Sequence, residues 1–320
     1  MDQTQGNLSP EELKKRFVEN VGGKTYDPMD RIFRLMFGEY PSITNSRPES
    51  RTLPQNREQV EIAQKRKYDL YFEQLNLKPG MKVLDIGCGW GSFMMECIKR
   101  DIQVEGITPS KAQFDHLIRN GFSAYHTIWQ NFEPEPAAYD AIVIMGSAEH
   151  FVSIEDYEAG EQNEVYKALW ELCAKALKPG GRVGGQTMTF NGDFPEVGRL
   201  EIDSKDPRHY HIALVSAFHP ESWLPRDFEN FYHESNGNEY FRLLKLIDGR
   251  EDYVWTMGCW GNTFWKLRPF EKWYHVARLL LRALTDAQIR LYIKCYLNGS
   301  NKVCMEKGWM SHVFFFLEKQ

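Results

Sequence analysis

The residues whose types and spacing most clearly suggest chemistry form one run, Val83-Leu84-Asp85-Ile86-Gly87-Cys88-Gly89-Trp90-Gly91-Ser92-Phe93. A short apolar stretch that reads as a strand closes on a carboxylate. Glycines at alternate positions then let the backbone turn tightly against a ligand. A nicotinamide dinucleotide would want a third glycine where Ser92 stands, and an acid closing the second strand, where Thr108 stands. A ligand without a pyrophosphate suits this turn better, and S-adenosylmethionine is the obvious one. Asp85 can organise its amino-acid end while the backbone of Gly87, Gly89 and Gly91 lies along the nucleoside.

A second cluster, Gly146-Ser147-Ala148-Glu149-His150-Phe151, follows a later apolar run. A carboxylate there, beside an apolar acceptor, can steady a cation or organise a base. Glu149 would equally suit a helix start, where an acid meets the macrodipole. His150 can carry a proton or merely bridge backbone groups. Displacement at a sulfonium methyl is in-line and needs alignment, not a strong nucleophile from the protein. An alkene acceptor would leave a carbocation, which aromatic faces stabilise; an amine acceptor would leave an ammonium. Trp223, Tyr232, Trp255, Trp260, Phe264 and Trp265 could supply such walls, or could pack a small core of their own. His209, His211, His219 and His233 match no standard metal spacing, and methyl transfer needs none, so no metal is expected.

These residues must be positioned by the elements around them. Residues 1–75 read as mainly helical: a start at Ser9-Pro10-Glu11-Glu12, an apolar periodicity through Ile32, Phe33, Leu35, Met36 and Phe37, and a charged helix from about Gln55 to Leu75. From Lys78 to about Phe190 short apolar runs alternate with helical stretches. Strands are predicted at Met81–Ile86, Gln103–Thr108, Ser123–Ile128, Ala141–Met145 and Arg182–Thr189. Helices are predicted at Phe93–Arg100, Ala112–Asn120 and Gln162–Leu177. Such alternation implies βαβ crossovers and a parallel sheet covered on both faces, with ligands beyond the carboxyl ends of the strands. Residues 191–275 are too aromatic for a linker and read as a lid or cap inserted late in the sheet. Further strands are predicted at Phe241–Ile247 and His312–Leu317, with one or two amphipathic helices over His275–Leu297. Arg278, Arg282, Arg290 and Lys294 are interleaved there among leucines. That helix could lie on a membrane surface, although core packing with a solvated basic edge accounts for the same pattern.

Composition excludes several classes. A net charge of −5 over 320 residues, with both signs mixed, argues against a nucleic-acid binder relying on phosphate neutralisation. Six widely spaced cysteines without a CxxC read as reduced, mostly buried thiols. The N-terminal residues lack an apolar signal core, and no run approaches the roughly 20 apolar residues of a membrane span, so a cytoplasmic location is expected. The 14% aromatic content points to an aromatic-lined interior or pocket. Oligomeric state has no signature here.

VLDIGCGWGSF, followed in order by VEGITPSKAQ, WQNF and MGSAEHF, resembles the cyclopropane fatty acid synthase family, which includes the mycolic acid cyclopropane synthases. The resemblance runs from about Asp27 to the C-terminus. It implies a class I methyltransferase fold: an α/β, Rossmann-like sheet with N-terminal helices over the cofactor site (1–75) and a methyltransferase domain (76–320) carrying the aromatic-rich cap. It implies S-adenosylmethionine as cofactor. Thr108, Pro109 and Gln113 would meet the ribose and methionine region, Trp129 and Gln130 the adenine, and Tyr40 and Gly146 would complete the cofactor set. The residues agree in part: Thr108 closes the second strand, and Trp129 offers a flat face for a purine. In the cyclopropane synthases a bicarbonate ion, thought to take a proton from the new methyl group, is held by a Cys backbone in a YSCAYF-like segment, the glutamate, a His on the fifth strand and a Tyr in an HYxxTL segment. Here the first segment reads Tyr40-Pro41-Ser42-Ile43-Thr44, the His position Gln186, and the last segment Asn262-Thr263-Phe264-Trp265-Lys266-Leu267. Only Glu149 survives in that reading, so methyl transfer without ring closure to a hydrophobic or amphiphilic acceptor is expected. Gln186, Trp223, Tyr232, Trp260, Phe264 and Trp265 are the expected acceptor-pocket residues. Methylene transfer to a lipid alkene and a catalytically silent cofactor-binding scaffold remain the alternatives.

Overall fold

The computed structural model describes residues 26–191, 202–219 and 222–320; the helix start at Ser9–Glu12 lies outside them. A short 3-10 turn, Asp27–Met29, leads into α1 (Asp30–Phe37) and α2 (Arg57–Gln74). Asn56 caps α2 by accepting a hydrogen bond from the Gln59 amide. The charged appearance of α2 conceals its buried stripe, Val60, Ala63, Gln64, Lys67, Tyr68 and Tyr71, at helical three- and four-residue spacing. Two members of that stripe are polar, and both are used below.

The sheet follows with β1 (Lys82–Ile86), α3 (Ser92–Ile98), β2 (Gln103–Thr108), α4 (Lys111–Arg119), β3 (Ser123–His126) and β4 (Tyr139–Met145). Then come α5 (Ile154–Glu158), α6 (Gln162–Ala176) and β5 (Leu177–Phe190). The remainder comprises α7 (Pro207–Phe218), α8 (Phe228–Tyr232), α9 (Gly237–Tyr240), β6 (Phe241–Asp248), α10 (Arg250–Lys266), α11 (Pro269–Ala283), α12 (Ala287–Asn298), α13 (Ser300–Glu306) and β7 (Met310–Lys319). Spatial order is β3-β2-β1-β4-β5-β7-β6. Pairs among the first five strands are parallel, whereas β7 runs antiparallel to both β5 and β6. The chain steps outward from β1 to β3 and then returns to the other side of β1 with β4. That reversal opens a crevice at the carboxyl ends of β1 and β4, where ligands of such sheets bind.

The central strands β1 and β4 are mostly apolar because both their faces are covered. Leu84, Ile86, Ile142 and Ile144 point to one side and pack with Tyr166, Leu169, Trp170 and Cys173 of α6. Val83, Ala141 and Val143 point to the other and pack with Tyr71, Leu75, Phe93 and Met94. All six cysteines are buried and unpaired. The N-terminal elements are tied to the sheet's far end by polar contacts. Asp252 on α10 takes Arg47 and Arg51 at 2.8 Å each, and the Asn45 side-chain amide donates to the Gly249 carbonyl at 2.8 Å.

The stretch read as one cap, about 191–275, does not run as a block outside the sheet. β6 lies within it and forms the sheet edge, with α7 to α9 before it and α10 after it. His275–Leu297 resolves into two helices, because the chain turns at Leu284–Asp286 and Asp286 caps α12 from the Gln288 and Ile289 amides.

The sheet centre tolerates no added atom at Gly185, where a Cβ would fall inside the Phe315 ring of the neighbouring β7. Gly185→Ala should therefore cost about 1–3 kcal/mol through overpacking. Urea denaturation of the two proteins measures this as a lower midpoint at an unchanged slope.

Candidate functional site

The crevice between β1 and β4 is a cavity lined by the glycine turn, the ends of β2 and β4, and the N-terminal elements. Of the residues the sequence suggested for a cofactor, Asp85, Gly87, Gly89, Thr108, Pro109, Gln113, Trp129, Gln130 and Gly146 line it. Gly87 has φ 83°, and a Cβ there would run into Ser147. The turn can thus lie against the loop after β4, where the Ser147 hydroxyl donates to the Ile86 carbonyl at 2.6 Å. Gly146 (φ 68°) likewise lets Thr44 close on it, since a Cβ would stand 2.8 Å from the Thr44 methyl.

Two expected cofactor residues lie elsewhere. Gly91 sits behind the turn at the start of α3, packed against Leu117. Tyr40 turns away, its ring edge-on to His116 and Phe122 at centroid distances of 5.5 and 5.7 Å. Its successors Pro41 to Thr44 face the cavity instead. The reason is the polar pair on α2: the Gln64 amide donates to the Thr44 carbonyl at 2.8 Å, and Lys67 Nζ donates to Thr44 Oγ1 at 2.8 Å. These bonds draw residues 42–44 inward and leave Tyr40 outside.

Lys67 is the residue that the sequence reading missed. It is fully buried, lines the cavity, and shares it with the equally buried Asp85 without a direct ion pair. Burial pushes the ammonium down to about 7 and the Asp85 carboxyl up to about 7, each opposed by the other's charge. Asp85 Oδ1 has no hydrogen-bond partner. A signal existed: a lysine on the buried stripe of α2 demands a polar destination. Tyr26 was missed too. It lines the cavity, and its hydroxyl lies 2.8 Å from His150 Nε2.

These groups match an amino-acid nucleoside. A zwitterionic end would find an ammonium and a carboxylate already buried and apart. Gln130 Oε1, which also lacks a partner, could accept from an exocyclic amine. Trp129 presents a ring face, backed by Phe151 at 5.5 Å. Thr108 donates to Gln113 Oε1 at 2.7 Å, so the two side chains hold each other at the end of β2. Asp27 and Asp30 close the arrangement from outside, accepting from Ser110 Oγ at 2.5 Å and Trp90 Nε1 at 2.8 Å.

Glu149 stands in the 3-10 turn after β4, between the cavity-lining Ser147 and His150; it is buried and does not itself line the cavity. Its Oε1 accepts from the Met188 amide at 2.9 Å, while Oε2 has no partner. Burial raises the carboxyl to about 7 against two backbone hydrogen bonds that lower it. Gln186 is fully buried on β5 near Gly146 and Thr44, and neither amide atom has a partner. His150 lies between Tyr26 and Ser222 Oγ (3.3 Å), and burial pushes it down to about 4, which keeps it neutral. Among the described residues no group of three acidic, His or Cys side chains is disposed to hold a metal.

The expected aromatic wall is dispersed. Trp223 packs between Tyr157 and Phe190, and Tyr232 donates from its hydroxyl to the Phe241 carbonyl inside the core. Trp255 donates to the Leu53 carbonyl at 3.0 Å. Trp260 and Phe264 pack on Met29, Ile32 and Met36 of the N-terminal elements, and Trp265 is exposed. None of these lines the cofactor cavity. An amphipathic aromatic covers whichever apolar surface is nearest, so composition alone does not aim it at a ligand. The structure also corrects the last segment. The Tyr-x-x-Thr spacing of HYxxTL occurs at Tyr253-Val254-Trp255-Thr256, at the start of α10. Tyr253 is half-buried as a residue, and desolvation of its hydroxyl, with the Glu149 carboxylate adding to it, holds the phenol above its usual range. Residues 262–267, where the segment was expected, lie at the far end of that helix.

Sheet order, glycine turn and paired charges define a class I methyltransferase that uses S-adenosylmethionine. A family model described as mycolic acid cyclopropane synthetase matches residues 13–311, and the chain belongs to that family. It is 34% identical over 256 residues to cyclopropane mycolic acid synthase 2 of Mycobacterium leprae, covering 74% of this chain and 76% of that one. It is 28% identical over 266 residues to hydroxymycolate synthase MmaA4 of Mycobacterium tuberculosis, covering 80% and 81%. The fold is that of mycolic acid cyclopropane synthase CmaA1 solved with SAH and CTAB, with TM-score 0.71, 23% identity, and 98% and 100% of the two chains covered. MmaA2 from Mycobacterium tuberculosis gives TM-score 0.72 at 22% identity over the same shares.

If Lys67 meets the carboxylate of the cofactor, Lys67→Met should weaken S-adenosylhomocysteine binding by about tenfold to a hundredfold, the range for a hydrogen bond to a charged group. Binding of 5′-methylthioadenosine, which lacks the amino-acid end, should change little. Calorimetric titration with both ligands checks this; an equal loss for both would mean that Lys67 only shapes the loop.

Proposed function

We propose that the protein transfers a methyl group from S-adenosylmethionine to a carbon or nitrogen of a lipid or other hydrophobic, amphiphilic molecule, without ring closure. The observation that carries this reading is the neutral Gln186 amide, buried and unpartnered beside the site, where the cyclopropane synthases place a His. An amide cannot take a proton or carry the positive charge that would hold an anion, so a base for the transferred methyl group is weakened. S-adenosylmethionine supplies an electrophilic methyl on a sulfonium. This chain's residues then have three tasks. Lys67, Asp85 and the glycine turn orient the donor end. The apolar walls and the N-terminal elements exclude water. Glu149, with one oxygen unpartnered, stabilises positive charge on the acceptor or takes a proton from an amine.

A second reading, methylene transfer to a lipid alkene, draws on one specific observation: Tyr253 lies within electrostatic reach of Glu149. Two members of the anion site are then present instead of one. A scaffold without catalysis draws support from neither observation.

Donor carrying a fully deuterated methyl group separates the first two readings. Incubated with lipid extract and analysed by mass spectrometry, the product should keep all three deuterium atoms; retention of two would mean ring closure or a related deprotonation. Glu149→Gln should retain S-adenosylhomocysteine affinity and lose about 10²–10⁴ in turnover. With the carboxyl at about 7, the wild-type rate should rise with pH up to that value, as the carboxylate forms, and level off above it. A pH–rate profile should show this limb in wild type and its absence in the variant.

A further inference from the structure

Large apolar side chains exposed on the described surface are not spread evenly. Those outside residues 265–297 stand singly, at Ile62, Ile98, Ile118, Tyr125 and Leu246. Within that stretch they form a stripe. On α11 and its end, Phe270, Trp273, Tyr274, Leu280, Leu281 and Leu284 recur at intervals of three, one, six, one and three residues, with the exposed Ala277 filling the gap. This is a single helical face, roughly 21 Å long at 1.5 Å per residue. Phe270 and Leu284 at its ends are 79% and 77% exposed.

This face is not a misplaced core. The opposite side of α11 is already used: Leu279 and Ala283 pack with Ile289, Tyr292 and Ile293 of α12. The stripe is therefore surplus to folding, and apolar surface of this extent on a folded chain marks an interaction site.

The flanks show what it meets. Residues 266–284 hold five Lys or Arg against one acid, Glu271, in a chain whose overall charge is −5. Lys272 lies over the rings of Trp265 and Trp273, and Arg278 and Arg31 over that of Tyr274. Apolar stems and rings with cationic tips along one helix suit a plane of headgroups above acyl chains. The excess of positive charge selects an anionic plane.

We infer that α11 is an in-plane anchor that docks the enzyme on the surface of an anionic lipid bilayer. Phe270, Trp273, Leu281 and Leu284 enter the acyl boundary, while Arg268, Lys272, Arg278 and Arg282 meet the headgroups. The hairpin also reaches inward. Tyr292 on α12 is close enough to Tyr26, the hydrogen-bond partner of His150, to disfavour ionisation of its hydroxyl. Tyr292 packs with Ala283 and Ile289 between the two helices, on the side away from the exposed stripe. Docking itself does not depend on the acceptor being a lipid; delivery of an acceptor along this hairpin rests on that reading.

Vesicle co-sedimentation tests docking. Full-length protein should sediment with vesicles of phosphatidylcholine mixed with phosphatidylglycerol, far less with phosphatidylcholine alone, and should be released at about 1 M salt, where the Debye length is about 3 Å. Leu281→Glu with Leu284→Glu should abolish sedimentation. Arg278→Gln and Arg282→Gln should each weaken it about fivefold. Thermal melting should not change, because these side chains are exposed. No binding to the anionic vesicles, equal binding to neutral ones, or unaltered binding by the variants would overturn the inference. So would a wild-type dimer in light scattering that the Leu281/Leu284 variant converts to monomer, which would make the face a self-contact. Turnover of detergent-dispersed lipid by that variant separates the two readings. Activity retained there with docking lost fails neither, whereas no turnover by wild type on any lipid fails the lipid reading alone.

Discussion

Two opposite charges buried without touching set the terms for the rest of this structure. Asp85 ends the central strand and Lys67 projects from the buried face of α2, and desolvation drives both toward neutrality. In a protein interior such groups are stable only with partners or with a ligand that supplies them. Neighbouring features answer to this constraint. Ser42 and Thr44 hydroxyls are drawn to the lysine, which pulls their segment over the cavity. Thr44 in turn requires Gly146, and Gly87 admits Ser147 beside the strand end. The donor site is thus a consequence of how one buried charge pair is accommodated at a reversal of strand order.

The reacting end obeys the same physics with a different outcome. Glu149 is buried with one oxygen satisfied by β5 and one left over, so its carboxyl titrates near neutrality instead of near 4.5. His150, held by Tyr26 and Ser222, is kept neutral and serves to fix the N-terminal elements against the site. Gln186, buried on the same strand that satisfies Glu149, brings an amide with no partner and no charge. The groups around Asp85 and Lys67 belong to β1 and α2, and those around Glu149 to the turn after β4 and to β5.

Most of the architecture was legible in the sequence. Strands β1, β2 and β4 and helices α4 and α6 fall within a residue or two of their expected bounds, because buried parallel strands and amphipathic helices carry strong local periodicity. Part of the cavity lining was legible for the same reason: Asp85, Gly87, Gly89 and Thr108 lie in or beside a single strand–turn–helix unit. Errors came where contacts are distant. Tyr40 and Trp223 are ambiguous locally, since an aromatic residue packs on whatever apolar surface reaches it. Lys67 looked like one charge among many on a charged helix until its stripe was seen to be buried.

What the sequence by itself determined is the order and type of the elements, the donor turn and the carboxylate after β4, all set by interactions within a few residues along the chain. What only the tertiary structure decided is which polar groups lose water. Burial of Lys67, Asp85, Glu149 and Gln186, and exposure of the apolar face of α11, depend on surfaces contributed by segments up to two hundred or more residues apart. Desolvation is a property of the assembled surroundings, so the charge state of the site could not be read from local pattern, and the amphipathic pattern over 275–297 left open which helix face stays exposed.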